Sequence, residues 1–226
     1  MTSRGVVLSS VSAAIAAIPT SALASEDGQV WIAGSATIKL NDAWRLSEDM
    51  SARFSDDRNG LYQLQSATLL HYRLGKKVTV AGGYVHSPQY SDGDRIALER
   101  RAREQVTVDD IGRIGAGKIS ARLRMEQRWR DNADGTAWRI RPYVKYALPL
   151  VGKTSLVLSN ETFLNLNTTA FQQQDGLDRM RNLIAINTPL LKNFTAEVGY
   201  LNQYGFVRGG EDASDHVASL SLTASF

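Results

Sequence analysis

The chain has 226 residues, a formal charge of +3 from 26 Lys and Arg against 23 Asp and Glu, 43% hydrophobic residues and a mean hydropathy of −0.24. It has no cysteine, which excludes a disulfide framework, a thiolate nucleophile and a Cys-bound zinc. The length fits one domain, or a single barrel of roughly 200 residues. Those bulk numbers describe a soluble protein, but the order of the residues argues otherwise.

Residues 1–24 read as a cleaved secretory signal. Arg4 gives the positive start, residues 6–18 form an apolar, small-residue run, Pro19 stops any helix, and Ala22-Leu23-Ala24 gives the A-x-A pattern of a cleavage site. The run is too short to span a bilayer as a helix, which needs about 20 residues. Removing 1–24 takes away one charge, Arg4, and leaves a 202-residue domain of net charge +2. No later stretch is apolar enough for a transmembrane helix.

Past Ser25 the hydrophobic period is two, as in strands with different environments on their two faces. Expected strands in chain order are 29–40, 44–54, 61–73, 78–86, 97–109, 119–129, 138–146, 155–164, 177–187, 194–204 and 218–226. The clearest is 119–129, with Ile119, Ala121, Leu123, Met125 and Trp129 against Ser120, Arg122, Arg124, Glu126 and Arg128. In 138–146, Pro142 must fall at a bulge or a weak edge of the ladder. The count is eleven, whereas single-chain bacterial barrels have even numbers, so ten or twelve is expected. Connections alternate: 41–42, 74–77, 148–154 and 188–193 are short, with the turn 110–117 on the same side, while 87–95, 131–136, 165–176 and 205–215 are longer and polar. That alternation suits an outer-membrane barrel with long external loops and short periplasmic turns.

A soluble sandwich turns its apolar face inward; a membrane barrel turns it toward lipid. The export signal favours the barrel. So do aromatics near strand ends (Trp44, Phe54, Tyr72, Tyr84, Trp129, Trp138, Tyr146, Tyr200, Tyr204). A last strand ending on Phe226 fits recognition by the barrel-assembly machinery. The polar phase then points inward. It holds Arg45, Arg53, Arg73, Arg101, Arg103, Arg122, Arg124, Arg128, Arg139, Arg141, Lys145, Arg179 and Arg181 against Asp49, Glu99, Glu126, Glu161 and Glu197, a surplus of eight positive charges. Asp92, Asp94, Glu211, Asp212 and Asp215 are assigned to loops. Bidentate Arg–carboxylate pairs could lace a filled interior. Alternatively, the surplus makes a narrow anion path or an anion-binding pocket, since rings of Arg select anions.

The histidines do not form a familiar catalytic set. His216 and Ser219 fall on opposite faces of one strand, and the adjacent His86 and Ser87 also diverge. His71 lies on the inward phase, and spacing does not show whether Glu126 and Glu161 meet. A buried His71–carboxylate–Ser/Thr cluster would favour catalysis. No metal-ligand cluster, phosphate loop or nucleotide fingerprint is present, and Gly115–Gly117 is a turn. No cofactor or metal is expected, and export argues against nucleic acid despite a sequence pI near 9.2.

Several phrases carry a resemblance. They are Gln29-Val30-Trp31, Leu69-Leu70-His71-Tyr72-Arg73-Leu74, Val80-Ala81-Gly82-Gly83-Tyr84 and Leu98-Glu99-Arg100-Arg101-Ala102-Arg103-Glu104-Gln105. Then come Arg122-Leu123-Arg124-Met125-Glu126-Gln127-Arg128-Trp129, Asn160-Glu161-Thr162-Phe163-Leu164-Asn165-Leu166 and Glu197-Val198-Gly199-Tyr200-Leu201-Asn202-Gln203. In this succession, over residues 27–226, the chain resembles the proteobacterial family called domain of unknown function 2490. The resemblance implies an exported, outer-membrane-like barrel and lends no activity or site residue.

The expectation is therefore an all-β, antiparallel, up-and-down transmembrane barrel of 10–12 strands at residues 25–226, monomeric, in the outer membrane of a Gram-negative bacterium. Its partners would be outer-membrane lipids and small anions. The residues expected to form an ionic ladder or anion site are Arg45, Arg101, Arg103, Arg122, Arg124, Glu126, Arg128, Arg139, Arg141 and Glu161. Two other readings stand beside it: an outer-membrane lipid-modifying enzyme, and a soluble periplasmic β-protein.

Overall fold

A computed structural model describes residues 25–226; the signal expected at 1–24 lies outside them. Every element is a strand: β1 (Ser25–Lys39), β2 (Trp44–Ser55), β3 (Gly60–Arg73), β4 (Val78–Ser91), β5 (Asp94–Ile114), β6 (Gly117–Arg130), β7 (Ala133–Pro149), β8 (Ser155–Asn165), β9 (Gly176–Leu191), β10 (Phe194–Gly205) and β11 (Ala213–Ser225). Each strand pairs antiparallel with its chain neighbours, and β1 meets β11 to close a barrel. The eleven segments read from the sequence are the eleven strands. The expectation of an even number is corrected by the closure itself. β1 and β11 run parallel, with Val30 opposite Ala218 and Ile32 opposite Leu220. An antiparallel series closes with an odd count only if one pair is parallel.

The expected alternation of long and short loops holds only in part. At one rim, the mouth, the connections are 56–59, 92–93, 131–132, 166–175 and 206–212; at the other, the base, they are 40–43, 74–77, 115–116, 150–154 and 192–193. The loops expected at 87–95 and 131–136 are mostly strand. Asp92 and Gly93 have φ of 51° and 86°, the paired positive values of a two-residue type I′ hairpin turn, so β4 and β5 continue to its edge. Pro142 behaves as expected. The β7–β8 ladder pairs Ile140 with Leu164 and resumes at Tyr143 and Glu161, passing over 141–142.

Ser25 lies at the mouth, where its N–H donates to the Asp212 carbonyl at 3.2 Å, and Phe226 lies at the base, bonded to Thr37 and Lys39 of β1. The two described ends therefore emerge at opposite rims.

The faces are inverted relative to a water-soluble fold. Val30 is 47% exposed, Leu123 54%, Val144 49% and Val198 58%, whereas Glu99 and Glu126 are completely buried. Apolar side chains cover the outer wall and polar ones fill the inside. An apolar cluster of Trp31, Leu201 and Val217, with Leu183 against them, lies within, and Leu69, Val85, Val157 and Phe163 are buried inside as well. Aromatics gather at the base rim. Trp44 and Tyr72 have ring centroids 4.7 Å apart, Phe194 and Phe226 pack edge-to-face at 6.0 Å, and the Tyr146 hydroxyl donates to the Ile114 carbonyl at 2.9 Å. Gly83, on the inner face of β4, sits where a Cβ would lie 2.9 Å from Leu69 Cα. Its lack of a side chain lets β3 and β4 approach closely where the sheet bends.

The parallel seam can be tested by cross-linking. Val30 and Ala218 both point outward and are directly paired; neighbouring strands lie about 4.8 Å apart, within disulfide range. With no native cysteine to compete, the double variant Val30→Cys/Ala218→Cys should form an intramolecular disulfide on mild oxidation. Val30→Cys/Leu222→Cys should not. The reverse result would mean a different closure.

Candidate functional site

The inward phase of β5 to β9 builds one ionic lattice around three glutamates. Glu99 on β5 takes Arg101 Nε at 2.6 Å, Arg128 at 2.9 Å and Arg130 Nε at 3.0 Å. Glu126 on β6 takes Arg103 at 3.0 Å, Arg139 at 2.6 Å and Arg141 at 3.0 Å, with Arg101 at 3.8 Å. Glu161 on β8 takes Arg122 at 2.5 Å and Arg141 at 2.7 Å, with Arg181 at 3.9 Å. Eight arginines thus share three carboxylates. Register makes this possible: Glu126 stands directly between Arg103 of β5 and Arg139 of β7. One guanidinium, that of Arg141, joins Glu126 to Glu161, the two carboxylates whose meeting spacing alone left open.

Aromatic faces take up further positive charge. The Phe163 ring is buried and has Arg141 at 4.3 Å, Arg181 at 4.6 Å and Arg139 at 5.0 Å from its centroid. The Trp31 ring has Arg53 at 4.1 Å and Arg181 at 4.6 Å. These lie within the range of cation–π attraction.

Two arginines of the inner wall have only amide oxygens as acceptors. Arg124 donates through Nε and Nη2 to Gln105 at 3.0 and 2.9 Å, and Arg53 donates through Nη1 to Gln63 at 2.8 Å. Among the described residues neither has a carboxylate within 4.0 Å. Both line a cavity of about 530 Å³ that reaches from the mouth, at Ser25, Asp57 and Arg58, down to Asp49, Arg103 and Arg124. Guanidiniums without a carboxylate partner, facing a space of that size, attract anions.

The mouth loops are tied to this wall. From the 166–175 loop, Gln172 accepts from Arg128 Nη1 at 2.9 Å and donates to the Asn167 and Trp138 carbonyls, while Phe171 lies under Arg130. In the 206–212 loop, Asp212 accepts the Val207 N–H at 2.9 Å and the Tyr204 hydroxyl at 2.8 Å. These two bonds, the backbone one foremost, hold its carboxyl below the usual range.

Of the site residues expected from sequence, Arg101, Arg103, Arg122, Glu126, Arg128, Arg139, Arg141 and Glu161 share the lattice. Arg124 stands beside it on Gln105. Arg45 stands apart, near the base end of β2 opposite His71. Arg73, expected inward, is exposed. Asp215, assigned to a loop, lies in β11 and lines the cavity. Asp27, Arg130 and the row of glutamines carry no signal in the sequence, because uncharged or isolated polar residues at strand ends leave no pattern of their own.

The histidines divide as expected, with one addition. His86 and His216 are exposed on the outer face, where His216 Nδ1 meets the Tyr200 hydroxyl at 2.6 Å, and Ser87 is buried inside. His71 Nε2, however, lies 2.8 Å from Ser47 Oγ, the spacing of a nucleophile–base pair. The nearby carboxylate, Asp49, accepts Ser35 Oγ at 2.6 Å and makes no hydrogen bond to His71.

Residues 28–214 match the model of the family described as "Protein of unknown function (DUF2490)". An uncharacterized protein of Methylorubrum extorquens is 29% identical over 217 residues, covering 93% of this chain and 94% of that protein. No solved structure matches. The match spans most of the barrel, and the chain belongs to the DUF2490 family.

Proposed function

We propose that this protein is an outer-membrane barrel whose arginine-lined lumen binds small anions. The carrying observation is the imbalance inside the wall. Three glutamates are shared among eight arginines, and Arg53 and Arg124 face the cavity with amide oxygens alone. Membrane placement is supported by the exposed apolar outer wall, which would be costly in water over such an area, by the aromatics at the rims, and by the export signal in the sequence. The lattice fills one side of the interior, from Glu99 and Arg130 near the mouth to Arg122 and Glu161 further down, and that filling favours a binding pocket over an open pore.

The test uses the chain from Ser25 onward, refolded in detergent micelles, with heat-modifiable gel mobility as the folding control. Inorganic phosphate should bind, and more weakly as salt rises. Arg124→Gln removes a charge without stripping a glutamate of a partner. It should weaken binding about 10- to 100-fold, as expected for losing a charged hydrogen bond worth about 1.5–3 kcal/mol. In planar bilayers the protein should give a flat baseline. Anion-selective steps that disappear in Arg124→Gln would make the cavity a pore, and folded protein that neither binds nor conducts would sink the proposal.

The lattice itself predicts a stability effect. Glu126→Gln leaves several buried guanidiniums short of a counter-charge, and breaking a buried ion pair costs about 3–5 kcal/mol. The variant should unfold at markedly lower denaturant than wild type.

A second reading, a hydrolase, rests on the Ser47–His71 hydrogen bond. Since among the described residues no side chain hydrogen-bonds the other imidazole nitrogen, we expect a fluorophosphonate probe to leave Ser47 unlabelled. Labelling that vanishes in His71→Asn would establish that reading instead.

A further inference from the structure

The acids of the cavity are kept apart from its arginines. Asp27 on β1 and Asp215 on β11 stand directly opposite each other across the parallel seam, and both line the cavity. Like charges so placed repel, and the ordinary remedy is a guanidinium between them. None is used. Among the described residues no Lys or Arg nitrogen lies within 4.0 Å of either carboxylate. Neutral donors serve instead. Asp27 accepts from Ser55 Oγ and Gln29 Nε2, each at 2.7 Å, and from the Asp57 N–H at 3.2 Å.

Glutamine spacers maintain the separation. The Gln203 amide oxygen accepts from Arg181 Nε at 2.8 Å, while its NH2 donates to Asp215. One side chain thus holds Arg181 on one side and the carboxylate on the other. The Gln29 oxygen is likewise occupied, by Trp31 Nε1 at 2.8 Å and by the Tyr62 hydroxyl at 2.9 Å, so its NH2 is turned to Asp27. Across the cavity Arg124, 8% exposed, has no acceptor for Nη1 among the described residues. The result is a cavity of both signs: carboxylates at Asp27 and Asp215 on the β11–β1 wall, and guanidinium without a carboxylate partner at Arg124 on β6 opposite them and at Arg53 on β2.

We propose that the ligand is a small dipolar solute, with an anionic group on the arginine wall and an ammonium at Asp27 and Asp215. This rests on the anion reading above and narrows it. An anion alone would leave the paired carboxylates facing each other unrelieved. An ammonium between them would remove the repulsion and add charge-assisted hydrogen bonds. The polar walls give no seat to acyl chains, so the ligand is a free solute and not a lipid headgroup.

The test compares ω-aminoalkylphosphonates of two to five carbons with alkylphosphonates of equal length, on the refolded chain in micelles at low salt. At the length that spans the two walls, the amine-bearing probe should bind about tenfold tighter, the gain expected of a newly paired charge. In Asp27→Asn/Asp215→Asn, which keeps the side-chain shapes, that preference should vanish, while alkylphosphonate binding holds or tightens. Equal binding of both series at every length overturns the dipolar ligand and leaves the anion site standing. Failure of both series to bind overturns the two together. A preference that survives in the double variant refutes the assignment to Asp27 and Asp215.

Discussion

Three buried carboxylates organise the interior on which this barrel depends. Moving an ion out of water costs several kcal/mol even after relaxation, and eight arginines would make the inside untenable without Glu99, Glu126 and Glu161. The solution is geometric. A guanidinium carries its donors in a planar fork, so one carboxylate can be approached from several strands, and one arginine can bridge two carboxylates, as Arg141 does. Because Glu126 pairs with arginines on β5 and β7 while sitting on β6, ladder register and ionic contacts enforce each other. A one-residue slip would carry Glu126 to the apolar outer wall.

That lattice occupies one side of the barrel. The other side, where β1 and β11 close the wall, holds the apolar cluster of Trp31, Leu201 and Val217 and the glutamine-bonded acids. The parallel seam places the two described ends at opposite rims, so a barrel of this kind set in a bilayer presents Ser25 on one side and Phe226 on the other. Closure with one parallel pair also fixes which residues face each other at the seam. Asp27 meets Asp215 because both strands run from the mouth; an antiparallel closure would set Asp27 against a residue from the other rim.

The period-two pattern of 119–129 made β6 legible in sequence, with its inward arginines and Glu126. The same reasoning placed all eleven strands, because alternation is a local property that each segment states for itself. What failed was non-local or rested on a general rule. The even count came from the habit of other barrels, and no residue in β1 or β11 announces which direction its partner runs. The long loop expected at 87–95 came from its polar composition, although Asp92-Gly93 already carried the signature of a tight hairpin turn. The same polar composition hides Asp215 among loop residues, although it lies in β11. Arg45 shares the phase of the inward arginines yet stands apart from them, because phase gives the face and says nothing of depth along the barrel. Ser47 and His71 met because β2 and β3 are neighbours, yet their distance depends on register that alternation does not supply.

The arrangement of amides separates two possible purposes for so many charges. If the ionic interior served only to hold shape, the strongest arrangement would bring every acid onto an arginine, since each unpaired buried charge is costly. The lattice around Glu126 follows that rule. The seam does not: Gln203 lies between Arg181 and Asp215, and Gln29 turns its NH2 to Asp27; elsewhere on the wall Arg53 and Arg124 also end on glutamine oxygens. Amides satisfy hydrogen bonds without cancelling charge, so they preserve a field across the cavity that direct ion pairs would extinguish. A field kept at the expense of stability acts on whatever enters the cavity, and an entering molecule with both signs gains from both walls. On the proposed reading, the neutral residues between the charges, more than the arginines themselves, would make this lumen a binding site.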